Sequence, residues 1–251
     1  MRMLDINWAH AFYDSTSFGR TLSGKSECLS MFTLSPGPQS GCQEREILAP
    51  VMSFDFLVET YETERVKILS VWTEFQDEDL AVRPRHDDPR GRSVHEQMVH
   101  QCMSEDLWFR SMLGIDVGAP PLPRPETRVE FIKRYAEDSG KRLAVLREKD
   151  ADWWAQPTKF FDAERSRAWV MLRRLTHSSH HRGQLTAMLR MLGRDLHSTY
   201  GPTADTGGLA ANGGRTIYAY RDLETLINAE GGGSKAPLPG AGDRPVTERP
   251  S

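Results

Sequence analysis

The chain has 251 residues, of which 38% are hydrophobic and 27% charged, and a formal net charge of −3. That composition fits a soluble globular protein with polar appendages, long enough for one large domain or two small ones. A slightly acidic chain offers no basic excess to nucleic acid or anionic lipid, and no apolar run approaches the roughly 20 residues that span a bilayer.

The N-terminus, "MRMLDINWAHAFYDSTSFGR", lacks the continuous apolar core of a signal peptide, so a cytoplasmic location is expected. Residues 1–51 show no sustained periodicity, and "TLSPGPQSGCQE" reads as loop or disorder. Met52 stands directly before the first amphipathic pattern. Translation starting there, with residues 1–51 extraneous, is one reading; a weakly structured N-terminal extension is the other. Cys28, Cys42 and Cys102 are odd in number and have no CxxC spacing, which excludes a disulfide framework or a thiolate zinc knot as the organising principle.

Four long helical segments follow. In the first, Phe54, Leu57, Val58, Tyr61, Ile68, Trp72 and Phe75 recur at helical spacing. The second opens with Ser93 and Glu96 at capping-box spacing and runs to about Leu113. It is apolar on two sides, Val94, Met98, Cys102 and Phe109 on one and Met103 and Leu107 on another, which suits a helix wedged between neighbours. The third opens with Thr127 and Glu130, a second capping-box pair, and carries Val129, Ile132, Tyr135, Ala136, Leu143 and Leu146. The fourth runs from about Glu164 to Leu192, with Gly193 as its C-terminal cap. Pro84, Pro89, Pro120, Pro121, Pro123, Pro125 and Pro157 all fall between these segments, where no helix is interrupted.

A shorter helix, "YRDLETLINAE", comes after a Gly-rich link, and the tail from residue 229 onward is poor in apolar residues and expected to be disordered. No strand alternation of useful length and no repeat is visible. Four amphipathic helices of similar length must bury their stripes on one another, so the expected fold is all-α, a four-helix bundle over residues 52–228.

The fourth segment contains "LRRLTHSSHHRGQLTAMLRMLG". At about 100° per residue, His177 and His181 share a face with Val170, Gln184, Met188 and Leu192, the inward stripe. His180 is rotated roughly 60–100° away on the same wheel. An i, i+4 histidine pair on an inward stripe has two readings: core histidines with ordinary hydrogen bonds, or two ligands of one metal ion. A third ligand must come from another helix. His95 and His100 on the second helix are five apart and cannot both face the core. His95 lies in the first turn near the rim, His100 mid-helix. His86 sits in the charged loop "RPRHDDPRG" and reads as solvated, while His10 and His197 lie outside the packed helices. His100 is therefore the best third ligand.

A mid-helix histidine in "MVHQCMSEDLWF", then "LTHSSHHRGQL" and "MLRMLG", resembles the DinB/YfiT-like superfamily, small bacterial proteins unrelated to the DNA polymerase of the same name. The resemblance covers residues 52–228, and its H-x-x-H-H-R-G-Q block is the more specific part. It implies a four-helix bundle with a divalent metal held by His100, His177 and His181, and with His180 as a motif histidine that is not a ligand. It also implies that many members are dimers, and that relatives include transferases and isomerases dependent on low-molecular-weight thiols such as bacillithiol or mycothiol. The N-terminal extension and the Gly/Pro tail depart from the compact family pattern.

Three imidazoles leave a metal at least one open position, unlike a structural zinc site closed by four protein ligands. Such a site lowers the pKa of bound water to about 7 or activates a thiolate. Zinc is the first expectation and nickel the second. Acid should release the ion as imidazoles protonate, near pH 6.5 for an unperturbed ring. Gln184, one turn past His181, is either a second hydrogen-bond layer around the ligand or an ordinary bundle contact. Gly183 lowers helix stability by about 1 kcal/mol relative to Ala, for which close approach of a neighbouring helix is the expected reason. Glu105 and Asp106 are either acid–base groups or, as expected, solvated or capping; Trp153–Trp154 are expected to pack over the bundle end, with substrate stacking as the alternative.

Two functions are open. One is a metal-dependent enzyme, a thiol-dependent transferase or a hydrolase, acting on a small-molecule substrate. The other is a non-catalytic metal-binding bundle with a structural or sensing role. A homodimer is expected, without nucleic acid or membrane partners.

Overall fold

A computed structural model describes residues 53–118, 120–196, 199 and 222–232, all within the unit Ala49–Ser251. The extension 1–51, the Gly-rich link, His10, His197, Cys28, Cys42 and residues 233–251 lie outside the described residues.

Four long helices carry the fold: α1 (Asp55–Trp72), α2 (Val94–Ser111), α3 (Arg128–Arg147) and α5 (Arg167–Met191). Between α3 and α5 come a short α4 (Ala151–Ala155) and a hairpin of β1 (Pro157–Phe160) and β2 (Ala163–Ser166); α6 (Leu223–Gly232) closes the order. The last helix thus takes in residues 229–232, which the sequence assigns to the tail. Both α1 and α2 pack on α3 and α5, so α1 and α2 stand diagonally across a four-helix bundle. Among the described residues, no helix is long and apolar enough to cross a membrane.

The caps explain where the helices begin. Ser93 Oγ accepts from the Glu96 amide at 3.2 Å, and the Glu96 carboxylate accepts from the Ser93 amide at 2.7 Å, a complete capping box. Thr127 accepts from the Glu130 amide, but Glu130 turns outward to Lys133, so only half of the second expected box forms. Ser166 caps α5 through the Trp169 amide. At the other end Gly193 adopts φ 66°; its amide bonds Arg190 O and that of Arg194 bonds Leu189 O. That is a Schellman closure, which a left-handed glycine permits.

The hairpin corrects the expectation of no strands and of a fourth helix starting near Glu164. Its antiparallel register pairs Pro157 with Ser166 and Phe160 with Ala163. Four-residue strands are too short to show alternation. Glu164 belongs to β2 instead, and the α5 cap comes at Ser166.

The core has two apolar ends. One gathers Ile68, Trp72, Met98, Phe131, Tyr135 and Leu189 among others. The other gathers Leu57, Phe109, Leu113, Leu146, Trp154 and Met171. Trp154 lies 6.1 Å from Phe54, the end-packing expected of the double tryptophan. Between the two ends each helix contributes buried polar groups: Glu64 from α1, Glu105 and Asp106 from α2, Asp138, Ser139 and Arg142 from α3, and Arg174, Ser178, His181 and Arg182 from α5. Met103 and Leu107 do not wedge α2 between neighbours; they are 45% and 46% exposed. Their side of α2 is the side that carries His100.

Candidate metal centre

His177 and His181 stand one turn apart on α5, and His100 comes from mid-α2. The structure brings all three together. His100 Nε2 is 2.9 Å from His181 Nε2, which is 3.0 Å from His177 Nε2. One ligand atom from each of the three lies within 4.8 Å of the others. The 2.9 Å and 3.0 Å separations lie within the roughly 4.2 Å that two zinc–nitrogen bonds span, so an ion held by His181 is within bonding reach of each of the other two rings. Hydrogen bonding alone satisfies the cluster poorly. His181 Nε2 faces two ring nitrogens at once, and an imidazole nitrogen has one in-plane lone pair or one hydrogen. A cation accepting three lone pairs resolves that crowding, so the donor set fits a divalent metal. No further His, Cys, Asp or Glu joins the group among the described residues.

Burial keeps the rings neutral, which is the ligating form. Desolvation first, then the charge of Arg92, pushes His100 down to about 3. Desolvation and the adjacent Arg174 push His177 down to about 2. His181 falls to about 4, again by desolvation, with its hydrogen bond to Gln184 opposing the shift.

The surrounding contacts orient each ring. Gln184 Oε1 accepts from His181 Nδ1 at 2.9 Å and from Gln97 Nε2 at 3.1 Å. Gln184 therefore acts as an acceptor behind the candidate ligand, with α2 bracing it. Its amide nitrogen reaches exposed His180 at 3.0 Å, which keeps His180 out of the cluster. Trp108 lies flat on His177, centroids 5.4 Å apart and planes at 10°. Phe160 and Phe161 meet the same indole edge-on.

Two readings of the sequence are overturned here. Glu105 is neither solvated nor a cap but 0% exposed. It accepts from Tyr61 at 2.6 Å, Tyr135 at 2.7 Å, Arg174 at 3.2 Å and Arg142 at 3.3 Å. Burial opposes its ionisation, but the two arginines outweigh that and hold its carboxyl below the ordinary range. Asp106 is buried as well, with Arg142 at 3.4 Å. Arginines at 142 and 174 on helical stripes are the only sequence signal for this cluster. The second correction is Gly183, which is exposed; a Cβ built there meets nothing within 4 Å, so among the described residues no helix approaches it closely.

The other histidines lie apart. His95 bonds Glu126 at 2.8 Å near the rim, and His86 is 97% exposed in its loop. Cys102 is buried, and burial pushes its thiol well up, so it is no nucleophile.

The DinB family model matches residues 52–208 of the chain. The chain belongs to the DinB family. No curated protein matches it. Among solved structures, a DinB-like protein from Bacillus cereus is 16% identical, at TM-score 0.49, with 56% of this chain and 93% of that one covered. A DinB-like protein from Bacillus subtilis is 12% identical, at TM-score 0.44, with 55% and 92% covered. YfiT from Bacillus subtilis, described as a probable metal-dependent hydrolase with an unusual four-helix bundle topology, is 15% identical, at TM-score 0.45, with 62% and 93% covered. In this DinB-family chain the matched span contains all three clustered histidines.

Proposed function

We propose that this DinB-family protein binds one divalent metal ion through His100, His177 and His181 and acts as a metal-dependent enzyme on a small-molecule substrate. The observation that carries the reading is the convergence of three inward Nε2 atoms with no fourth protein ligand among the described residues. Three protein ligands favour an open, catalytic arrangement over a closed structural one. When bound, the ion supplies Lewis acidity and lowers the pKa of a coordinated water or thiol.

The chain's own groups set up that chemistry. Gln184 orients His181 through Nδ1. Trp108 forms an apolar wall against His177, and Met103 and Leu107 stay exposed on the His100 side of α2. The reaction classes we propose are transfer with a low-molecular-weight thiol as co-substrate, or hydrolysis. Zinc is the first choice of metal and nickel the second, since imidazole suits both. A cytoplasmic homodimer completes the proposal, and light scattering tests the dimer: a monomer at working concentration removes it.

Elemental analysis of the purified full chain, followed by a screen of thiol-dependent and hydrolytic substrates on the loaded protein, tests the function. About one metal per chain with turnover abolished by chelator supports it. Metal at that stoichiometry without turnover in either class returns the choice to the non-catalytic bundle.

A further inference from the structure

The two candidate ligands on α5 have opposite partners on their outward ring nitrogens. His181 Nδ1 meets Gln184 Oε1, which only accepts. The hydrogen of that neutral ring therefore sits on Nδ1, and the Nε2 lone pair faces the cluster. His177 Nδ1 meets Arg174 Nη1 at 3.2 Å. A guanidinium has five N–H groups and no lone pair, so it only donates, and Nδ1 must accept. A neutral imidazole carries one hydrogen, which for His177 then lies on Nε2. That is the atom aimed at His181, and in this tautomer it has no lone pair for a cation.

Arg174 is not free to relax elsewhere by accident. It is 1% exposed. Nη1 also donates to Ser104 Oγ at 2.9 Å, and Nη2 donates to Glu105 at 3.2 Å. Glu105 is itself fixed by Tyr61, Tyr135 and Arg142. The guanidinium also lies 5.8 Å over the Trp108 ring, which stacks on His177 as well. The buried charge cluster thus ends on one candidate ligand and not on the other.

We propose that Arg174 is a positioning residue that competes with the metal for His177, making this histidine the exchangeable arm of the site. In the metal-free protein it holds the ring in the tautomer that cannot ligate. Full coordination requires Nη1 to leave Nδ1 and the ring hydrogen to pass through solvent from Nε2 to Nδ1. No net proton is gained or lost. Arg174 then still keeps Ser104 and Glu105. The inference rests on the three-histidine reading of the site, but its first test needs no metal.

Long-range proton–nitrogen spectra of the 15N-labelled, metal-free full chain read each tautomer directly. The expected result is hydrogen on Nε2 for His177 and on Nδ1 for His181. Hydrogen on Nδ1 of His177 overturns the proposal without any variant being made. The second test is zinc affinity by chelator competition. Arg174→Gln supplies an amide oxygen that can accept from Nδ1, as Gln184 does for His181, and should tighten zinc binding by about tenfold or more. Arg174→Lys keeps an obligate donor and should stay near the unsubstituted value. Weaker binding in Arg174→Gln, with cooperative thermal unfolding retained, shows that Arg174 supports the ligand and overturns the proposal. Zinc binding by none of the three proteins removes the metal reading, while the tautomer spectrum still decides the assignment for His177.

Discussion

His100 and His181 stand 81 positions apart in the chain and 2.9 Å apart between their Nε2 atoms. α2 and α5 pack on each other, and the spacing of His177 and His181 on α5 then brings the third nitrogen to the same point. The bundle thus holds the three rings close together before any ion arrives.

Replacing His100, His177 or His181 singly by Ala should therefore remove most bound metal, because two imidazoles with several open positions hold an ion weakly. His180→Ala should retain it, since His180 bonds Gln184 and not the cluster. Metal content per chain measures both. Retention in the three cluster variants, or loss in His180→Ala alone, contradicts the assignment.

Gln184→Leu removes the acceptor behind His181. Loss of such an outer partner lowers metal affinity by about 10- to 100-fold. Chelator competition checks this, and an unchanged dissociation constant would leave Gln184 as a bundle contact only.

Acid stability of the metal-free protein follows from the three depressed imidazole pKa values. The unfolded rings titrate near 6.5, the folded ones at about 2 to 4. As pH falls below about 6.5 the unfolded chain binds protons that the folded chain refuses, so stability is full above that pH and declines below it. The urea midpoint of chelator-treated protein should be lower at pH 5 than at pH 7.5. A variant with all three rings replaced by Gln should lose most of that difference.

Glu105→Gln leaves buried Arg174 without its carboxylate and Arg142 with Asp106 alone. Breaking a buried pair in this way is destabilising by about 3–5 kcal/mol. Denaturant unfolding checks the magnitude, and a change under about 1 kcal/mol would mean that the two arginines find other partners.

Gly183→Ala should stabilise the chain by about 1 kcal/mol, because α5 gains helix propensity and the new methyl enters open space. A lower melting temperature would show that the added methyl meets a neighbour after all.

Much of this was legible in the sequence, for physical reasons that differ by residue. The i, i+4 spacing of His177 and His181 places both on the inward stripe, and helix periodicity alone carries that. His100 follows from its depth along α2 and from the family resemblance. Glu105 is not legible locally because its environment is made by α1, α3 and α5 together; nothing local to "SEDLW" reports that Tyr61, Tyr135, Arg142 and Arg174 converge on it. The hairpin was hidden because two four-residue strands leave no countable period. Met103 and Leu107 look like a second packing face in a wheel, which cannot distinguish a helix neighbour from the open side beside a site. Gly183 invited a packing explanation, and the space around its Cβ position removes it.

Anomalous diffraction from a crystal of the metal-loaded full chain tests the central claim most directly. One ion is expected, with His100, His177 and His181 Nε2 each about 2.0–2.2 Å away if it is zinc, and with a coordination position not filled by protein. An ion bound elsewhere, or one closed by a fourth protein ligand, would contradict it.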